Sequence, residues 1–160
     1  MNLKDVFELM KLCKEAKPQM TSRQIRTLLT HTFPEVLNEY TIFTGKVSQA
    51  AIEEVQSMAG VYRGHRVVRE HPNRIQRELT TFFDSIQIWD YETFEDKVRF
   101  LSEINITSSS ENSKLNAKDA SYESLGIELI PWDKIESDVR SILKKYVLTS
   151  KVKNRHNFNI

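Results

Sequence analysis

The chain has 160 residues, 39% of them hydrophobic and 28% charged, with eight Phe, five Tyr and two Trp. That is too much apolar and aromatic content for a disordered chain, and no run approaches the roughly 18 consecutive apolar residues of a membrane span. The 23 Lys and Arg against 22 Asp and Glu leave a net charge of +1, so the total charge names no partner.

The first residues, Met1 to Asp5, lack a basic stretch followed by an apolar run, so no signal peptide is expected. A lone Cys13 cannot form an internal disulfide and fits a reducing, cytoplasmic setting. The length suits one domain, or one domain with an appendage.

Leu3, Val6, Phe7, Met10 and Cys13 follow helical spacing, with Asn2 placed as N-cap and Pro18 beyond the end. Thr21 or Ser22 can cap a second helix through Ile25, Leu28 and Leu29, which Pro34 limits. Ser48 starts a third helix with Ile52, Val55 and Ala59 on one side and Gly60 as the stop. Val61–Val68 then places two short β-favouring pieces around Gly64, the pattern of a hairpin.

Asn73 is placed to cap a helix over 73–87 carrying Ile75, Leu79, Phe82, Phe83 and Ile86. Phe94, Val98, Leu101 and Ile104 mark another over 91–105, with Thr93 and Asp96 as a capping pair. Residues 106–124 are polar and Ser/Asn-rich with no periodic apolar face, which reads as a loop. Ile127–Ile130 reads as a short extended piece before Pro131. A last helix over 133–148 buries Ile135, Val139, Ile142, Leu143, Tyr146 and Val147, with Lys144 and Lys145 at its basic end. The tail from Ser150 is expected to fray. No internal repeat stands out.

Charge is uneven along this plan. Residues 1–80 carry 12 Lys and Arg against 9 Asp and Glu, residues 84–138 carry 5 against 13, and residues 139–160 carry 6 against 0. Within the first block Arg63, Arg66, Arg69, Arg74 and Arg77 crowd into fifteen residues beside Glu70 and Glu78. Fields act locally, so a block can face a partner that the net charge conceals. The plainer reading is a set of solvated faces.

Three short helices followed by an Arg-rich, glycine-turned hairpin resemble a winged-helix module over residues 1–70. The stretch from Thr21-Ser22-Arg23-Gln24-Ile25-Arg26 to Phe33-Pro34-Glu35 resembles the opening helix of such modules. The resemblance implies that the third helix would enter a major groove and the hairpin would meet phosphates or a minor groove. Lys46, Gln49, Arg63, His65, Arg66, Arg69, Arg74 and Arg77 are then the candidate nucleic-acid contacts. That requires the five arginines to share one exposed face free of Asp and Glu.

Two further patterns bear on chemistry. Arg26 to His31 and Arg66 to His71 each match Arg-x4-His, which resembles the motif of HEPN ribonucleases and would imply attack on phosphate by a ribose hydroxyl. Pro72 and Gly64 argue against a long helix around the second copy. Histidines at 31, 65, 71 and 156 with one cysteine give no CxxC or HExxH spacing, and the four glycines are isolated. No metal, cofactor or catalytic set is expected.

The expected fold is therefore mainly α, a winged-helix-like N-terminal part followed by a helical bundle. It has a winged-helix-like part with a small β-hairpin at 1–70, a helical pair at 71–105, a polar loop and short extended segment at 106–130, a C-terminal helix at 131–150 and a basic tail at 151–160. The expected function is non-catalytic nucleic-acid binding, as a DNA-binding regulator or accessory subunit, with a protein partner or a second copy on the C-terminal helices. The alternative is a helical adaptor or inhibitor that docks a protein through the acidic-aromatic block, with Trp89, Tyr91 and Phe100 as anchors.

Overall fold

The computed structural model describes residues 1–58, 60–86 and 89–159. About 54% of the described residues are helical, beside a small mixed four-stranded sheet. The chain divides into two compact units. One is Met1–Thr41 with His71–Glu103, and the other is Ile42–Glu70 with the residues from Ile104 on. The 1–70 module expected from the sequence is thus divided at Thr41. No helix among the described residues is long and apolar enough to cross a membrane.

The first unit is helical. It contains α1 (Leu3–Ala16), α2 (Ser22–Thr27), a π-helical turn at Leu28–Thr32, and α3 (Pro34–Asn38). Asn2 and Asp5 form a reciprocal capping box on α1, and Thr21 and Gln24 form one on α2. Leu3, Val6, Phe7 and Met10 of α1 are buried in one cluster with Ile25 and Leu29. Further along the chain this unit takes in two helices that complete its core through Leu79, Phe83, Phe94 and Val98. They are separated from α3 in sequence by β1 (Ile42–Ser48), α4 (Gln49–Ser57) and β2 (Val67–Glu70), and they are α5 (Ile75–Ser85) and α6 (Tyr91–Leu101).

Their caps differ from the expected ones. Arg74, at φ 44°, precedes α5 with no side-chain cap, while the Asn73 amide donates to Phe100 O at 2.9 Å. Asp90 caps α6 by accepting from Thr93 N at 2.8 Å. Helix α6 ends at Leu101, because the chain turns at Ser102 and enters a strand.

That strand, β3 (Glu103–Ser108), is followed by α7 (Ser109–Leu115), β4 (Leu129–Pro131), a 3-10 turn at Trp132–Lys134 and α8 (Ser137–Tyr146). The sheet order is β2-β3-β1-β4, with β2 antiparallel to β3 and β4 antiparallel to β1. Residues 106–124 therefore hold the end of a central strand and a helix, where the sequence reads as a loop. Val67 and Val68 do form a strand, but pair with Ser108 and Thr107 and not with Val61–Arg63. The hairpin is replaced by a turn-bearing loop at 61–66.

Strand alternation separates two chemistries. Phe43, Val47, Ile104, Ile106 and Val67 join Ala51, Val55, Val139 and Leu143 in the apolar core. The alternate residues Thr44, Asn105 and Glu70 form a polar layer. The Thr44 hydroxyl donates to Asn105 Oδ1, Asn105 Nδ2 donates to Tyr122 OH at 2.8 Å, and Tyr122 OH donates to Glu70 Oε2. Burial, with the Glu70 contact second, raises the Tyr122 phenol well above its usual value. The neighbouring Thr107 hydroxyl is buried without a partner among the described residues.

Two strand–serine–helix junctions close this side. Ser48 caps α4 and Ser108 caps α7, and the Glu111 carboxylate accepts from Ser48 Oγ, from Ser108 Oγ at 3.1 Å and from Ser108 N at 3.0 Å. Glu111→Ala strips three donors of their acceptor, so a loss of about 2–3 kcal/mol is expected in urea unfolding. Ser113→Ala, whose exposed hydroxyl bonds only within α7, should change stability by less than about 0.5 kcal/mol. Equal effects would remove Glu111 from that role.

Candidate nucleic-acid interface

The arginines expected to share one face are divided. Arg63, Arg66 and Arg69 fall in the second unit and Arg74 and Arg77 in the first. Arg63 and His65 are exposed on the 61–66 loop. Arg66 is ion-paired to Glu54 of α4 at 3.2 Å, which breaks the requirement of a face free of carboxylates. Arg69 is half-buried on β2, where burial lowers its guanidinium pKa below the usual value. Lys46 is exposed on β1, and Gln49 opens α4 with its amide donating to Glu53 at 2.9 Å.

The aromatic anchors are also redistributed. Trp89 stacks on Phe83 at 5.3 Å and lies 5.8 Å from Phe7, and Tyr91 meets Phe7 edge-on at 5.7 Å. Both belong to the packing of the first unit. Phe100 is 53% exposed, with Lys97 Nζ 5.8 Å above its ring.

The two Arg-x4-His pairs are not hydrogen-bonded pairs. Arg26 is buried on α2, bonds Thr30 Oγ1 through NH1 at 3.1 Å and leaves its Nε without a partner among the described residues. Burial first, then Arg23, lowers its pKa. His31 is exposed on the π turn. In the second pair Arg66 is engaged by Glu54, while His71 Nδ1 lies 3.2 Å from Leu101 O.

A different cationic surface forms at the end of the chain. Helix α8 buries Val139 and Leu143 in the core of the second unit and turns Ser141, Lys144 and Lys145 away from it. The segment after α8 returns against the sheet. Val152 is buried, and Phe158 packs at 4.7 Å on Phe43 and 5.8 Å from Trp132. Gly45, at φ 83°, lets that ring approach, since a Cβ there would lie 3.2 Å from Phe158 Cε1. Asn154 accepts from Phe43 N at 2.9 Å and donates to Phe43 O at 2.8 Å. Asn159 O accepts from Trp132 Nε1 at 2.9 Å. The tail is docked, contrary to the frayed end expected, because these contacts hold it.

Docking carries Arg155 and His156 to α8. Together with Ser141, Lys144, Lys145 and Leu148 they line a groove of about 310 Å³. No carboxylate among the described residues lines it, and none of the three ion pairs among them involves residues 139–159. The carbonyl end of α8 is partly negative and offsets some of the field of Lys144 and Lys145. Arg155 of the docked segment adds to it. Such a groove accepts oxyanions.

One aromatic feature adjoins it. Tyr62, from the 61–66 loop, stacks on Tyr146 of α8 with centroids 4.5 Å apart and planes 9° from parallel. Lys145 Nζ lies 4.9 Å from the centre of the Tyr146 ring, so Lys145 belongs both to the groove and to the tyrosine pair. The sequence shows the six cations of 139–160, but not that Arg155 returns to α8.

Among the described residues there is no group of three or more His, Cys, Asp or Glu that could hold a metal ion. No protein-family model, curated protein or solved structure matches the chain.

Asn154→Ala removes both bonds to Phe43, at an expected stability loss of about 1–3 kcal/mol. The released tail should be cut by trypsin at Lys151, Lys153 or Arg155 faster than in the wild type. An unchanged cleavage rate would show that Asn154 does not hold the tail.

Proposed function

We propose that this chain is a non-catalytic nucleic-acid-binding protein, acting as a regulator or accessory subunit of a nucleic-acid-processing machine. The observation that carries the reading is the groove in which Lys144, Lys145, Arg155 and His156 converge without a carboxylate. Phosphate contacts supply most of the affinity of such proteins. Exposed Arg63 adds positive charge through the loop that Tyr62 ties to α8. Arg66, already matched by Glu54, contributes little.

The reading rests on charge placement and does not need a winged helix, whose wing would have been Val61–Val68. A cytoplasmic setting agrees with it. A second copy on the C-terminal helices is compatible with it. A second reading, docking of a protein partner on α6 of the acidic block, draws on the exposure of Phe100.

The test is a titration against duplex DNA, single-stranded DNA and RNA across salt concentrations. With Lys144, Lys145 and Arg155 engaged, log K should fall against log salt with a slope of about −2 to −3. Lys144→Ala with Arg155→Ala should flatten the slope by about 1.5–2, and Arg66→Ala should leave it nearly unchanged. No binding at about 50 mM salt, or an equal slope in the double variant, overturns the reading.

A further inference from the structure

From the stacked tyrosine pair beside the groove we infer that the ligand is a single-stranded polynucleotide. One unpaired base stacks on Tyr146, while the adjoining phosphate enters the cationic groove. This inference rests on the nucleic-acid reading and narrows it to a strand whose bases are free.

Three observations support it. First, Tyr146 is 44% exposed although it is large and largely apolar, and its place at the last turn of α8 puts it outside the core that Val139 and Leu143 enter. Second, Tyr62 backs the ring in parallel at 4.5 Å. A ring held by a parallel neighbour has lost its rotational freedom before any ligand arrives, and an ordered aromatic surface is what base stacking uses. Bases inside a duplex are stacked on one another and do not offer a free face, so this surface selects unpaired strands.

Third, Lys145 joins the two halves. Its ammonium lies 4.9 Å from the centre of the Tyr146 ring, and its side chain lines the groove. A cation over an exposed ring is weakly held, whereas a phosphate offers the same ammonium a charge-assisted hydrogen bond. Entry of a phosphate therefore draws Lys145 into the groove and clears the tyrosine for the base attached to the same strand. The two contacts are made by one nucleotide unit and reinforce each other.

The experiment compares oligonucleotides of equal length and charge that carry normal bases or abasic sites, as DNA and as RNA, at fixed low salt. Wild-type protein should bind the base-containing strand about tenfold or more tightly than the abasic one, the range expected of one stacked base. Tyr146→Ala should abolish that preference and Tyr146→Trp should retain it, with circular dichroism showing that both variants remain folded. A preference for the base-bearing over the abasic strand, in DNA or in RNA, that disappears in Tyr146→Ala upholds the inference. Equal binding of normal and abasic strands by the wild type overturns it while leaving phosphate binding intact. No binding of any strand overturns the nucleic-acid reading itself. Should Tyr146→Ala be unfolded, an equal affinity of wild type for normal and abasic strands remains the decisive result.

Discussion

The side chain of Asn154 stands in for a strand. Strand β4 pairs only with Lys46, Val47 and Ser48, so β1 runs on past the end of its short neighbour. Phe43 lies in that overhang, where a backbone N–H and C=O without partners would carry a desolvation cost. The Asn154 carboxamide carries a donor NH2 and an acceptor oxygen on one planar group, and it satisfies both groups of Phe43. Ordering each residue of a tail costs about 1–2 kcal/mol in backbone entropy. Two hydrogen bonds, the buried Val152 and the packing of Phe158 on Phe43 offset that cost. Without them Arg155 would be a charge on a mobile end, and α8 would present only the lysines at its own carbonyl terminus.

The helical part of this architecture was legible where an apolar stripe was unambiguous. Leu3, Val6, Phe7 and Met10 mark α1, and Leu79 and Phe83 mark α5, because helical spacing and burial express one requirement. The strands were not legible, for a specific reason. In β3, Ile104 and Ile106 face the core while Asn105, Thr107 and Ser108 are also buried. A Ser/Asn/Thr run is the usual signature of a solvated loop. Here Thr44 and Tyr122 supply the partners for Asn105 and Glu111 supplies those for Ser108, and these partners lie from 3 to 61 positions away in sequence. Polarity in the sequence reports a residue's need for hydrogen bonds, not whether water or protein provides them.

The misplaced hairpin has the same origin. The β preference of Val67 and Val68 is real, and both residues are in a strand. Their partners are Ser108 and Thr107, some forty residues on, and no local turn signal encodes a pairing of that range. Once the pairing partner is β3, residues 61–66 are free to serve as a connection, and Tyr62 is turned to Tyr146. Part of the charge pattern was legible as well. The contrast between five crowded arginines and a C-terminal block without acids can be read from the chain. Its consequence inverts in three dimensions, because Glu54 meets Arg66 while no carboxylate among the described residues lines the groove.

Electrostatics then ranks the two basic regions. An exposed pair such as Arg66–Glu54, with both side chains more than a third exposed, contributes at most about 1 kcal/mol to stability. It still lowers the field that a phosphate would feel, since opposite charges 3.2 Å apart form a dipole whose potential falls off faster than that of a lone charge. Lys144, Lys145 and Arg155 have no such counterweight among the described residues, so their fields add across the groove. A concave surface excludes part of the screening water and ions and strengthens that sum. An acid-free cluster of modest size therefore attracts an anion more strongly than a longer arginine-rich stretch that carries its own acids. The location of the carboxylates among the described residues, more than the number of cations, is what favours α8 and the docked tail over the arginine-rich stretch as an anion-facing surface.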